Sequence, residues 1–444
     1  MIKGEKINNL VINKVNNINT DNQFNLLRGV EHSKKPNNKR MKVKLWRWHL
    51  IDLIDCKDIE IMNCKFKNFC SGIMTTQCTR VSFHDNIGIN GLHNMMRFYN
   101  GSEYFKFYNN WFSHVKHPMV WDGGDCAPHH TKLNPSGPKA ASTVYRTMKL
   151  GDKDYAQHMT GTYEVLCYGN YAEYGKTLAW GRKGRRVIIS GNSSRYMYDM
   201  AYDAEGCEEV IFANNIAVNS KAAGIGCFYY NDSTSITGNI VVIEDIGHEI
   251  YKGQFVRMHS SHGTSSSKTI ISGNLFVNHL KEPRYVKLDY CKNVLISGNK
   301  FVNGGILTNR YGGGYATVTG NTFISTLDKQ QTLISIARIL TEFTFRNNTM
   351  INRNPKATPG EPAIKFDFTV TPKLVKERPG VDKAAAYRQV DGNSIRGWAV
   401  PIEFNAKSGK NNTRVIFCNN MFEGAPVIPA TINDKIIKNN TSLK

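Results

Sequence analysis

The stretches VIISGN (187–192) and VIFANN (210–215) share a sequence phrase that recurs along this chain and indicates its fold. A run of β-branched or aromatic residues is closed by Gly-Asn or Asn-Asn, which is the pattern of a strand followed by a turn. The phrase recurs along the chain, and its last residue is Asn86, Asn110, Asn192, Asn215, Asn239, Asn274, Asn299, Asn321, Asn348 or Asn420. From residue 170 to 239 the interval is 22, 23 and then 24 residues, which is typical of a solenoid.

Three short strands with their turns fit a coil of about 22–25 residues, at roughly 3.3 Å per strand residue. Successive coils would then pair in parallel. An Asn at the same corner of each coil can hydrogen-bond its amide to the Asn above and below. These Gly-Asn and Asn-Asn corners resemble those of the right-handed parallel β-helix of the pectate-lyase superfamily. The resemblance implies an all-β chain folded as a single-stranded right-handed parallel β-helix.

The intervals between corners also predict the domain organisation. Residues 1–54 are expected to form N-terminal coils or a cap, and residues 55–444 the β-helix. The period breaks near 116–157, 259–268 and 350–386, where we expect loop insertions. Long loops on a rigid scaffold often wall a binding groove, and the first insertion is the one expected to contact substrate.

Composition narrows the class of partner. Lys and Arg number 57 against 36 Asp and Glu, a formal net charge of +21, which favours a polyanion. Because no nucleic-acid-binding motif is visible, an acidic polysaccharide is expected rather than nucleic acid. No apolar stretch is long enough for membrane insertion, and the N-terminus lacks a signal-peptide core. The ten Cys form no CxxC pair and are interpreted as mostly reduced core residues, made in a bacterial cytoplasm.

Counting backwards from each corner Asn places equivalent residues of neighbouring coils in columns. Two columns are predicted to point outward on one sheet, since side chains alternate along a strand. Twelve residues before the corner lie His158, Trp180, Asp203 and Cys227, and ten before it lie Thr160, Arg182, Glu205 and Tyr229. The intervening Tyr202, Ala204 and Phe228 are expected inside. The following coils are expected to add Arg257, His259, Lys287 and Asp289.

This stripe has the composition of a carbohydrate site. Asp203 and Glu205 stand i and i+2 on one strand, so their Cβ atoms lie roughly 6.6 Å apart, which leaves retaining and inverting hydrolysis both open. The cationic side chains would pair with acidic sugar groups, the aromatic rings would stack on sugars, and the histidines would support proton transfer. A plain surface salt bridge between Arg182 and Glu205 is the alternative interpretation. No cofactor or metal is expected, and Asp122, Asp125, His129 and His130 are interpreted as exposed residues of a Gly/Pro loop.

The segment MYDMAYDAEGCEEVIFANN (197–215) resembles a strand and corner of phage tailspike depolymerases. The resemblance implies that Asp203 and Glu205 are the catalytic acids. It also implies a homotrimer located in the virion tail spike or outside the cell.

The sequence therefore predicts a depolymerase that hydrolyses an acidic bacterial capsular polysaccharide or exopolysaccharide. Its substrate-binding residues would be His158, Trp180, Arg182, Tyr229, Arg257, His259, Lys287 and Asp289. A polysaccharide lyase acting in the same groove is one alternative, and a non-catalytic glycan-binding adhesin is another. The sugar, the linkage and the stereochemistry are left open.

Overall fold

The computed structural model describes residues 2–15, 18–19, 49–99, 101–122, 162–228, 231–247, 253–259, 266–289, 291–308, 314–337, 341–369, 386–405, 413–429, 432 and 434–443. The chain divides into two compact units, Met1–Asn231 and Asp232–Lys444, and each is described by itself. The predicted boundary at residue 54 stays a prediction.

The first unit consists of short parallel strands. They are β1 (Ile2–Glu5), β2 (Asn8–Asn13), β3 (Ile18–Asn19), β4 (His49–Ile54), β5 (Lys57–Met62), β6 (Lys65–Phe69), β7 (Ser71–Thr76), β8 (Thr79–His84), β9 (Ile87–Tyr99), β10 (Glu103–Tyr108), β11 (Trp111–Asp122), β12 (Thr162–Tyr168), β13 (Tyr171–Glu173), β14 (Ala179–Arg182), β15 (Gly184–Ser190), β16 (Ser193–Arg195), β17 (Met200–Glu205), β18 (Glu208–Ala213), β19 (Ile216–Val218) and β20 (Ala223–Phe228).

The second unit repeats the same pattern. Its strands are β21 (Asp232–Thr237), β22 (Ile240–Ile243), β23 (Gln254–His259), β24 (Ser266–Ser272), β25 (Leu275–Asn278), β26 (Arg284–Leu288), β27 (Cys291–Ser297), β28 (Lys300–Val302), β29 (Gly304–Leu307), β30 (Tyr315–Thr319), β31 (Thr322–Ser325), β32 (Ile334–Ala337), β33 (Glu342–Arg346), β34 (Thr349–Asn352), β35 (Ile364–Asp367), β36 (Ala386–Asp391), β37 (Ser394–Arg396), β38 (Ile402–Asn405), β39 (Thr413–Cys418), β40 (Met421–Phe422), β41 (Asp434–Lys438) and β42 (Thr441–Ser442).

Within each unit a strand pairs with the equivalent strand of the next coil, three strands further along the chain in most coils. In the first unit, β12 pairs β15 and β15 pairs β18 in parallel. In the second, β24 pairs β27 and β27 pairs β30 in the same way. Each unit is thus a stack of coils of a right-handed parallel β-helix, and the predicted fold class is confirmed. The described residues include no helix that could cross a membrane.

The predicted asparagine ladder is present in both units. In the first unit the amide of Asn170 donates to the side-chain oxygen of Asn192 at 2.8 Å, and that of Asn192 donates to Asn215 at 3.0 Å. In the second unit the same bonds run from Asn239 through Asn274, Asn299, Asn321, Asn348, Asn393 and Asn420 to Asn440. The ladder joins equivalent corners even where the interval between them is long.

The residue before the ladder Asn explains the Gly-Asn and Asn-Asn phrases. Gly191 has φ +63° and Asn214 has φ +53°, both in the left-handed region. Glycine lacks the Cβ that makes this region costly, and Asn tolerates it better than most residues. In each Gly-Asn or Asn-Asn pair, the first residue therefore forms the left-handed turn, and the second forms the ladder.

The interior is filled by stacked apolar side chains. Phe83 and Phe107 stack at 5.3 Å with an interplanar angle of 6°, and both are fully buried. Burying such a side chain contributes about 1.5–3 kcal/mol relative to leaving it exposed. The nine described cysteines are free and eight of them are buried, so the predicted core position is confirmed for those eight.

The predicted insertions fall partly outside the described residues. Asn110 bonds to Asn170, sixty residues later, and residues 123–161 between them are not described. The same holds for 260–265 and for 370–385. The roles of these loops stay predictions.

Asn192→Ala should destabilise the fold markedly. The buried Asn192 amide donates to Cys167 O, Ser190 O and Asn215, and its side-chain oxygen accepts from Asn170. Removing it leaves buried groups without partners, so we expect a loss of roughly 3 kcal/mol or more in the free energy of unfolding in urea. Asn214→Gly is the control, because glycine keeps the left-handed turn at an exposed position. An equal loss in both variants would contradict the role of the ladder.

Candidate functional site

The candidate site lies in the first unit, on the outer face of β11, β14, β17 and β20. The parallel register places Trp180 beside Asp203 and Arg182 beside Glu205. The sequence-based columns are therefore correct for these four residues, which neighbouring strands bring together on one face.

The next position of each column differs from the prediction. Gly226, not Cys227, pairs with Asp203, and Phe228 pairs with Glu205. Cys227 is fully buried, while Phe228 is half-buried, so the prediction that Phe228 lies inside is wrong. The coil that ends at Asn239 is one residue longer than the one before it, and the extra residue follows Phe228. Counting back from Asn239 is therefore off by one.

Asp122 is a site residue that the sequence did not identify. It ends β11 and lies beside Arg182 in register. Its carboxylate is 1% exposed, which corrects the expectation of an exposed loop residue. One feature of the sequence could have indicated this position. The apolar run PMVW continues up to Asp122, which extends the strand to that residue. Asp122 therefore belongs to the same column as Arg182 and Glu205.

Two arginines hold this carboxylate. Arg182 donates from Nε to Oδ1 at 2.8 Å and from Nη2 to Oδ2 at 3.1 Å, and Arg97 donates to Oδ2 from the other side. Burial alone would raise the pKa of Asp122, but the hydrogen bonds and charges of Arg182 and Arg97 outweigh it and lower that pKa. The alternative of an Arg182–Glu205 salt bridge is wrong, because Arg182 pairs with Asp122 instead.

Glu205 is half-buried, and among the described residues no cation forms an ion pair with it. Burial raises the pKa of this carboxyl. Hydrogen bonding to the Trp180 indole and the charges of Arg182 and Lys176 oppose the rise, and the Asp122 charge adds to it. The pKa values of Glu205 and Asp122, which flank Arg182 in register, are therefore shifted in opposite directions.

Asp203 is 6% exposed and leans towards the next coil. A Cβ added to Gly226 would lie 2.7 Å from Asp203 Oδ1 and 2.7 Å from the Phe228 ring. Only glycine leaves room here for the carboxylate. The glycine in this column is therefore what allows Asp203 its orientation.

His117 is a further residue that the sequence did not identify. Its ring lies 5.4 Å from that of Trp180 and 6.3 Å from that of His93, centroid to centroid. Burial, followed by the charge of Lys176, lowers the pKa of His117 well below its usual range. This shift favours the neutral imidazole, which packs against the Trp180 ring at an interplanar angle of 32°.

Four predicted site residues belong to the second unit. Arg257 and Lys287 are neighbours in register on β23 and β26, and Lys287 Nζ lies 3.4 Å from the buried carboxylate of Asp289. Asp289 is thus a counter-ion of Lys287. The side chain of His259 lies outside the described residues, as do His158 and Tyr229. The part that these residues play in one groove stays a prediction.

Within the described ranges, no three or more His, Cys, Asp or Glu side chains are arranged to hold a metal ion.

Comparison with known proteins supports no family assignment. No family model matches the chain, and no curated protein matches it significantly. Among solved structures, the tailspike of Pseudomonas phage phi297 matches at 13% identity over 80% of this chain and 71% of that one, with a TM-score of 0.39. A periplasmic alginate epimerase matches at 9% identity over 89% and 77%, with a TM-score of 0.36. The family 28 exopolygalacturonase of Yersinia enterocolitica matches at 11% identity over 87% and 72%, with a TM-score of 0.35. Likenesses at this level carry no conclusion about activity.

Asp122→Asn should destabilise the first unit, because it removes the buried carboxylate that Arg97 and Arg182 both bind. We expect a loss of about 3–5 kcal/mol in the free energy of unfolding near neutral pH. The pKa of Asp122 is lowered in the folded state, so its stabilisation is complete above the unfolded pKa and is lost as the pH falls through the folded pKa. Denaturant unfolding of both proteins between neutral and acidic pH should show the difference closing in acid.

Asp58→Asn is the matched control for this variant. Asp58 pairs with Arg80 at 2.6 Å, but the side chains are 40% and 56% exposed. Its replacement should change stability little. A loss at Asp122 no greater than that at Asp58 would show that the buried cluster does not stabilise the fold.

Proposed function

We propose that the protein hydrolyses glycosidic bonds of an acidic bacterial surface polysaccharide, with Glu205 as proton donor and Asp203 as base or nucleophile. The observation that carries the proposal is the placement of these two carboxylates on one face of β17, beside Trp180 and Arg182. Paired carboxylates flanking the scissile bond are the usual machinery of glycoside hydrolysis.

The opposite pKa shifts support the assignment of roles. A general acid must hold its proton near the working pH, and the pKa of Glu205 is raised by burial. Asp122 has a lowered pKa and two arginine partners, so it stays ionised and has no proton to donate. Asp203 is then the remaining carboxylate to activate water or to attack the sugar. The choice between these two roles determines the stereochemistry, which the proposal leaves open.

The acidic nature of the substrate is supported by the net charge of +21. The cations closest to Glu205 are not all available for it, because Arg182 is engaged by Asp122. Lys176 is about one third exposed and pairs with the equally exposed Asp199 at 3.3 Å, so its ammonium remains accessible to an acidic sugar group. We also propose assembly as a homotrimer and a virion or extracellular location, on the resemblance of residues 197–215 to tailspike depolymerases.

Glu205→Gln and Asp203→Asn should each lower the depolymerisation rate by about 10²–10⁴-fold, because a positioned acid or base contributes about that factor. Purified capsules of several serotypes are the substrates, and polymer size and released oligosaccharides are followed by chromatography and mass spectrometry. Glu208→Gln, the same change at an acid that is 44% exposed and pairs with Arg185, is the control and should leave the rate unchanged.

Three outcomes would contradict the hydrolase. Wild-type rates in both acid variants would exclude the assigned residues. Products that carry an unsaturated uronate, absorbing in the ultraviolet, would indicate a lyase. Binding without any fall in polymer size would indicate an adhesin.

Gly226→Ala should impair hydrolysis through the orientation of Asp203. The added Cβ would collide with Asp203 Oδ1 and with the Phe228 ring. We expect the rate to fall at least tenfold while the protein still binds the polymer, since misplacing a reacting group by about 1 Å is costly. Gly191→Asn is the control, because Asn tolerates the left-handed turn that this residue occupies and there is open space around it. Equal rates for wild type and Gly226→Ala would show that Asp203 needs no such room.

A further inference from the structure

Arg182 stands between two carboxylates. The parallel register places it beside Asp122 of β11 on one side and beside Glu205 of β17 on the other. Neighbouring strands lie about 4.8 Å apart, so a guanidinium at this position is within reach of either carboxylate. The pairing that forms is therefore a choice between two candidates.

The choice falls on Asp122. Both oxygens of that carboxylate accept from Arg182, in the bidentate geometry that gives the strongest arginine–carboxylate pairs. Arg97 binds the same carboxylate and keeps it in place at the end of β11. Glu205 is left without an ion pair within the described part of the chain.

We infer that Asp122 is a positioning residue that withholds Arg182 from Glu205, so that the Glu205 carboxyl keeps the proton it donates. The inference rests on the proposed role of Glu205 as general acid. Without Asp122, the guanidinium would turn to Glu205 and hold it as a carboxylate. A carboxylate in a direct ion pair has no proton to give to a leaving oxygen.

The other groups that face Glu205 do not replace this effect. Trp180 and Arg182 face it from β14, and Lys176 from the segment before that strand. Asp122 faces it from β11, Asp203 shares its strand, and Cys207 follows it. Of the two cations that face Glu205, Lys176 pairs with Asp199. Arg182 is therefore the cation whose pairing depends on Asp122.

The arrangement also suits the chemical step. When the C–O bond breaks, its electron pair stays on the leaving oxygen, which takes the proton from Glu205 and departs as a hydroxyl. Glu205 becomes a carboxylate beside Arg182, whose charge stabilises it as it forms. Water supplies the proton that restores the acid and the hydroxyl that completes the new sugar end.

The test measures the protonation of Glu205 without substrate. Protein labelled with ¹³C at the glutamate carboxyls is titrated by NMR, and the Glu205 signal is assigned by its loss in Glu205→Gln. Asp122→Asn should lower the pKa of Glu205 by about one unit or more, since an adjacent opposite charge has that effect. The same change made in an Arg182→Gln background should lower it much less.

Two results would overturn the inference. One is an unchanged Glu205 pKa in Asp122→Asn, and the other is an equal fall with and without Arg182. If Asp122→Asn does not fold, Arg182→Gln alone is decisive, because it keeps the Asp122–Arg97 pair. There the Glu205 pKa should rise by much less than one unit, because Arg182 is bound to Asp122. A rise of about one unit or more would show that Arg182 already pairs with Glu205 and is not withheld from it.

The alkaline limb of the depolymerisation rate is the second readout. It should move to lower pH in Asp122→Asn, and return towards its wild-type position in Asp122→Asn/Arg182→Gln. Since the NMR titration needs no substrate, it decides the role of Asp122 even if the protein proves not to hydrolyse polysaccharide.

Discussion

The in-register parallel pairing of coils is the constraint on which the rest of each unit depends. Backbone hydrogen bonds set the distance between neighbouring strands, and the Asn ladder holds the corners in line. Because Asn192 donates to two backbone carbonyls as well as to Asn215, a shift of one residue would leave several buried groups without partners. The ladder thereby decides which outward side chains are neighbours, although it takes no part in chemistry.

The charged cluster on β11, β14 and β17 shows what such alignment permits. Two arginines surround one buried carboxylate, and desolvation makes this arrangement expensive unless every member is paired. Asp122 meets that requirement for Arg182, while burial raises the pKa of Glu205. Arg182 acts to lower the pKa of both carboxylates, but it binds only Asp122, so burial prevails at Glu205.

Much of the architecture could be predicted because every coil repeats the same short sequence pattern. The ladder, the parallel strands and the neighbours Trp180–Asp203 and Arg182–Glu205 all follow from equal spacing to the next corner. The prediction failed where spacing alone was insufficient. Because the coil has an extra residue after Phe228, Gly226 and Phe228 occupy the next positions of the two columns. Because β11 extends to Asp122, this residue lies in the site and not in a loop.

Strand periodicity and turn chemistry are local properties, so the fold, the corner residues and the strand that carries Asp203 and Glu205 could be predicted from the sequence alone. Only the tertiary structure shows which carboxylate Arg182 binds, which carboxyl has a raised pKa and how Asp203 is oriented. These outcomes depend on competition between partners on different coils and on the burial of each group. Neither the competing partners on other coils nor the burial of a group can be inferred from the residues next to it in the sequence.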